Sequence, residues 1–177
     1  MKTFKVPNRD ELSQANQDLF DRVKRHLGRV PNSYAFMASS ENGLATYLAL
    51  SNAKSSLSIK EKEVINLIVS GINGCHYCTS AHTVIAKLNG FTQEQILEIR
   101  RGAVSFDEKL DALAQLVKEI TNNKGNVGEK VIANFFAAGY TNEGLVDTVM
   151  VIAERTFSNY LNAIVNVPID FPVAPEI

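Results

Sequence analysis

Cys75 and Cys78 are the only cysteines in the chain. They stand three residues apart, and His82 follows the second by four. A cysteine reacts as its thiolate, so a base within reach decides what the pair can do. On a helix, residues four apart share a face, which puts His82 beside Cys78. Helical neighbours three apart have Cα atoms about 5 Å from each other, inside the range a disulfide allows. Both thiols fall in the first turn of the expected helix, where free N–H groups and the helix dipole favour a thiolate. A thiolate that attacks a peroxide becomes a sulfenic acid, and a second thiol three residues away condenses with it. Cys78, closer to His82 and deeper in the helix, is expected to attack. Cys75, nearer the turn and solvent, is expected to resolve the sulfenic acid and meet an external reductant first. A zinc site, the other reading of two cysteines at this spacing, needs four ligands. The chain offers the two cysteines with His76 or His82, too close together for the usual paired arrangement.

The elements that must position this group are legible next to it. The segment 59–73 is apolar over most of its circumference through Val64, Ile65, Leu67, Ile68, Val69 and Ile72. Glu63, Asn66 and Ser70 form one polar stripe at spacings of three and four. Asn73-Gly74 breaks the helix, and a second helix begins near Cys75, so the two form an αα-hairpin. Glu63 lies about ten residues, roughly 15 Å, before the turn, and His82 lies about eight residues, roughly 12 Å, after it. The hairpin thus brings them to similar depth, and Glu63, His82 and Cys78 form a candidate proton-relay line. Asn66 and Ser70 read as a polar edge facing solvent or another subunit.

The rest of the chain reads as all-α. No proline falls between Asn32 and Val167. Ser58-Ile59-Lys60-Glu61 and Thr92-Gln93-Glu94-Gln95 read as capping boxes, with Asn126-Val127-Gly128-Glu129 a looser version. Helices are expected near 9–27, 41–54, 59–73, 75–89, 93–101, 107–122, 127–138 and 142–165. That is seven, or eight with the short 93–101 segment, followed by an extended tail over 166–177 laid on a surface or a neighbouring subunit. With 177 residues and no repeat or linker, a single domain over 1–177 is expected, its motif core at about 57–90.

Composition excludes several functions. Hydrophobic residues make up 45% and charged residues 21% of the chain, the balance of a water-soluble globular domain. A net charge of −1 supplies no field for nucleic acid or an anionic membrane. No apolar run reaches the roughly 18 residues of a membrane span. Residues 1–10 hold no apolar signal-peptide core, so a cytoplasmic location is expected. His76 reads as exposed near the turn. His26, among Arg22, Lys24, Arg25 and Arg29, reads as part of a solvated basic face. Phe135, Phe136, Phe157 and Tyr160 read as core or interface packing.

The run Glu63-(x11)-Cys75-x-x-Cys78-x-x-x-His82 resembles the signature of the AhpD-like alkylhydroperoxidases of the carboxymuconolactone decarboxylase superfamily. Leu57-Ser58, Asn73-Gly74 and Ala81 agree with it, and weaker likeness extends to Pro31-Asn32, to Phe157-Ser158-Asn159-Tyr160 and to the Pro168–Pro172 tail. The branch it most resembles is that of the peroxidase-related proteins. The resemblance implies an AhpD-like helical fold, a homo-oligomer such as a trimer or hexamer, and a cysteine peroxidase without cofactor or metal. It implies that Glu63 and His82 form the relay, Cys78 the peroxidatic thiol and Cys75 the resolving thiol. The expected partners are a hydroperoxide substrate and an external dithiol, or a lipoyl- or thioredoxin-like reductant. One position departs from the pattern. The best-known members carry a histidine directly before the second cysteine, and here that residue is Tyr77, with a histidine one place earlier at His76. One residue turns a helical side chain by about 100°, so Tyr77 and His76 stand as supporting candidates.

Two alternatives follow from the same residues. Tyr77 in place of histidine favours a disulfide reductase or redox adaptor serving a protein partner. Non-redox superfamily members act as decarboxylases or on lactones, but those generally lack the cysteine pair.

Overall fold

The computed structural model describes residues 4–177. A short 3-10 turn at Arg9–Glu11 leads into nine α-helices among the described residues: α1 (Gln14–Leu27), α2 (Asn32–Met37), α3 (Gly43–Ser51), α4 (Ile59–Ile72), α5 (His76–Leu88), α6 (Gln93–Arg100), α7 (Glu108–Asn123), α8 (Glu129–Ala137) and α9 (Asn142–Val165). The all-α class is as expected, with one helix more than the sequence reading allows. The addition is α2, whose six residues are too few to show a period; Pro31 immediately before it is the local signal. The expected 9–27 helix also divides, because Ser13 caps α1 and accepts from the Asn16 N–H.

α4 is the axis of the fold and packs against α5, α6, α7 and α9. Its start is set by a capping box in which Ser58 and Glu61 satisfy each other's backbone N–H groups. Val64, Ile65, Leu67, Ile68 and Val69 are all buried. They join Ile96 and Ile99 of α6, Leu113, Leu116 and Val117 of α7, and Phe135 of α8 in one apolar cluster. The second expected capping box, Thr92 with Gln95, starts α6. The third does not form. Gly128 caps α8 without a side chain, its N–H taken by Glu119, while the Asn126 amide turns back to the Asn123 carbonyl.

α4 ends at Asn73, and Gly74 takes φ +64°, the left-handed conformation that a glycine adopts without strain. The Cys75 N–H then reaches the Ser70 carbonyl, closing the turn from which α5 departs. At the other end, Asn166 adopts φ 49° and stops α9. Residues 166–177 run without regular structure over the chain's own surface. Asp170 accepts from Tyr77 Oη at 2.7 Å, from Arg29 Nη1 at 2.8 Å and from the Asn32 N–H at 3.1 Å. Further along, the Ala174 N–H meets Ser80 Oγ, and Arg100 holds the Pro175 carbonyl. No helix among the described residues is long and apolar enough to cross a membrane.

Candidate active site

The site lies where α4, α5 and α9 meet. Glu63 and His82 come to the same depth in the hairpin, with His82 Nδ1 and Glu63 Oε2 2.8 Å apart and both side chains buried. An ionised carboxylate only accepts, so Nδ1 carries the hydrogen and Nε2 is left as the basic nitrogen. Burial pushes the Glu63 carboxyl up. The attraction and hydrogen bond of His82, the hydrogen bond from Asn66 and the charge of Arg155 outweigh it, and hold the group below its ordinary value.

Asn66 is not at a solvent edge, as the polar stripe suggested. Its Nδ2 donates to Glu63 Oε1 at 3.0 Å, and its Oδ1 accepts from Arg155 Nε at 3.0 Å. Arg155 also donates from Nη2 to Glu154 and from Nη1 to Ser158 Oγ. Ser70 is wholly buried and accepts from Asn159. α9 lays its own polar residues over the α4 stripe, and the stripe is solvated by protein instead of water. Burial works against the Arg155 charge, but the facing Tyr47, Glu154 and Glu63 outweigh it and raise its proton affinity.

Cys75 and Cys78 are paired as a disulfide, with Cα atoms 5.3 Å apart. Cys75 is the N-cap of α5, and its sulfur accepts from the Cys78 N–H at 3.3 Å. The expected difference in exposure is absent. Cys75 is 3% and Cys78 2% exposed, because Val165, Val167 and Phe36 cover the pair from the α9 end, the tail and α2. What separates them is direction. Cys78 lines a cavity of about 840 Å³, together with Glu63, His82, Asn66, Arg155 and Asn162, whereas Cys75 does not. The cavity's other walls are largely apolar, including Pro31, Leu50, Ile59, Val84, Ile85, Met150 and Phe171.

Tyr77 is buried, and its ring lines the same cavity, edge-to-face with Phe171. Its hydroxyl donates to Asp170 and accepts from the Ser33 N–H at 3.2 Å. Burial pushes this phenol up, and Asp170 adds to the effect, so the hydroxyl stays a donor. Tyr77 therefore ties α5 to α2 and the tail. His76 and His26 are exposed, as expected. Phe135 is core, whereas Phe157 and Tyr160 are about half exposed on α9 and belong to a stripe with Val146, Val149 and Ile164.

The residues that sequence reasoning missed are on α9: Glu154, Arg155, Ser158 and Asn162. Nothing in their spacing links them to a cysteine motif some 80 residues upstream. The helix itself is expected over 142–165, but only the resemblance over Phe157–Tyr160 connects it with the site.

The carboxymuconolactone decarboxylase family pattern matches residues 40–119. The chain is 41% identical over 54 residues to an alkyl hydroperoxide reductase AhpD of Mycobacteroides abscessus, a match spanning 30% of this chain and 31% of that protein. Among solved structures, a peroxidase-related protein with an AhpD core from Ralstonia eutropha superposes with a TM-score of 0.85 at 18% identity, over 95% of this chain and 92% of that one. The debrominase Bmp8, in complex with 2,3,4-tribromopyrrole, superposes with a TM-score of 0.78 at 19% identity, over 96% and 93%. The likeness read from Glu63, Cys75, Cys78 and His82 is therefore found by sequence and by fold alike. Residues 40–119 are similar to the carboxymuconolactone decarboxylase family, and the chain as a whole has the AhpD-like fold.

Proposed function

We propose that the protein is a thiol-dependent peroxidase working through Cys78 and Cys75. The observation that carries this reading is the buried Glu63–His82 hydrogen bond beside the one cysteine that lines the cavity. In the reduced protein, His82 Nε2 takes the Cys78 proton, and Glu63 holds the resulting imidazolium. The thiolate attacks one oxygen of ROOH, the O–O bond breaks, and the alkoxide leaves with the proton returned by His82. The products are ROH and a sulfenic acid on Cys78. Cys75 then attacks that sulfur, releasing water and closing the disulfide. An external dithiol, or a lipoyl- or thioredoxin-like donor, supplies the two electrons that reopen it. The apolar walls favour an organic hydroperoxide over hydrogen peroxide.

The same dithiol offers a second two-electron reaction, in which a halogenated aromatic and two thiols give the arene, hydrogen halide and a disulfide. The debrominase with the same fold, together with the roomy apolar cavity, motivates it. One experiment weighs both. Purified protein with excess dithiol is given cumene hydroperoxide or 2,3,4-tribromopyrrole, and peroxide loss or bromide release is followed. The expected result is peroxide turnover that Cys78→Ser lowers by at least about 100-fold. Equal rates for Cys78→Ser and wild type overturn the mechanism, and bromide release without peroxide loss transfers it to the second substrate.

A further inference from the structure

Asn162 stands one helical turn from the end of α9 and is 96% buried, its side chain lining the cavity beside Cys78. Its Nδ2 donates to Cys78 Sγ at 3.3 Å across 84 residues of sequence. Among the described residues its Oδ1 has no hydrogen-bond partner. An unpaired buried acceptor is a loss to the fold, so packing economy does not account for the amide. The two sulfurs are also served differently. Cys75 receives a backbone N–H that α5 supplies for free, and Cys78 receives a side chain brought from another helix.

We propose that Asn162 is a catalytic residue that stabilises the Cys78 thiolate. In the disulfide the sulfur is a weak acceptor. Once it carries a full negative charge, the same contact becomes charge-assisted and about twice as strong. The bond then acts at two points of the cycle. On the way in, it raises the fraction of Cys78 present as thiolate. On the way back, an external thiolate attacks Cys75, the S–S bond breaks, a mixed disulfide forms at Cys75, and the electron pair leaves on Cys78. A better-stabilised leaving thiolate departs faster, so Asn162 directs the reductant to Cys75. This names what steadies the nucleophile of the peroxidase reading, but it needs only a Cys78 thiolate, whatever that thiolate attacks.

The charged and titratable groups facing the cavity are Arg29 before α2, Tyr34 of α2, Tyr47 of α3, Lys54 after it, Lys62 and Glu63 of α4, Tyr77 and His82 of α5, Asp147, Glu154 and Arg155 of α9, and Asp170 of the tail. All are left in place in the test. In a Cys75→Ser background, the pH dependence of Cys78 alkylation by iodoacetamide is followed by mass spectrometry for Asn162, Asn162→Leu and Asn162→Asp. The isosteric aspartate keeps the shape should leucine disturb folding. The midpoint is expected to rise by about one to two pH units in Asn162→Leu, and further in Asn162→Asp, where a carboxylate replaces the donor. With both cysteines present, disulfide reduction by dithiothreitol is expected to slow roughly three- to tenfold in the variants. An alkylation midpoint unchanged in Asn162→Asp overturns the proposal. Unchanged reduction rates alongside a shifted midpoint overturn its return half. A shifted midpoint in a protein inert to hydroperoxides upholds Asn162 and removes the peroxidase reading instead.

Discussion

α4 has two faces that are both buried and built from opposite chemistry. Ile68 and Val69 look into an apolar cluster, where stability comes from area removed from water and from close packing. Glu63, Asn66 and Ser70, on the same helix and also buried, look into α5 and α9, where every polar group needs a named partner. The first face tolerates substitution in proportion to lost volume. The second is a chain of dependence, Glu154 to Arg155 to Asn66 to Glu63 to His82, in which removing one member strands its neighbours.

The comparison is most sharply tested at Arg155. Arg155→Ala leaves Glu154 and Glu63 buried without their cation and is expected to cost about 4 kcal/mol, read from urea unfolding. It should lower peroxide turnover per folded molecule as well. A variant of wild-type stability would mean that the polar face is solvated after all. Next comes Ile68→Ala on the apolar face, expected to cost about 3 kcal/mol through the cavity it leaves. Its turnover per folded molecule should stay at the wild-type level. A large fall in turnover would show that the two faces are not independent. The smallest effect is expected at Glu63→Gln, about 2 kcal/mol at neutral pH from the lost charge-assisted bond. The pH dependence distinguishes this variant. Native Glu63 holds its proton less tightly than the unfolded chain, whose value is near the ordinary 4.5. Its contribution is therefore complete above that value and lost as pH falls through the lowered native one. The glutamine variant should show a flatter acid limb in stability measured from pH 7 downward, and an acid limb identical to wild type would remove Glu63 from the account.

The α4–α5 hairpin was legible because its signals are local. Ser58 and Glu61 start one helix, Gly74 ends the turn, and counting residues on either side brings Glu63 to His82. The α9 half of the site was not legible, because Arg155 and Asn162 meet Asn66 and Cys78 only through tertiary packing. The error over Asn66 and Ser70 has the same origin. A polar stripe on an otherwise apolar helix reads as a solvent edge until the helix that covers it is known. Cys75 was placed nearer solvent on its position in the turn, which carried no information about Phe36, Val165 and Val167 closing over it.

The contact between Tyr77 and Asp170 joins residues 93 positions apart. A ribosome adding about 5 to 20 residues per second takes roughly 5 to 20 seconds to cover that distance. The cysteine helix is thus made well before α9 and the tail that bury it. During that interval Cys75 and Cys78 meet whatever thiols and oxidants surround the nascent chain, without the apolar cover that later restricts access to them.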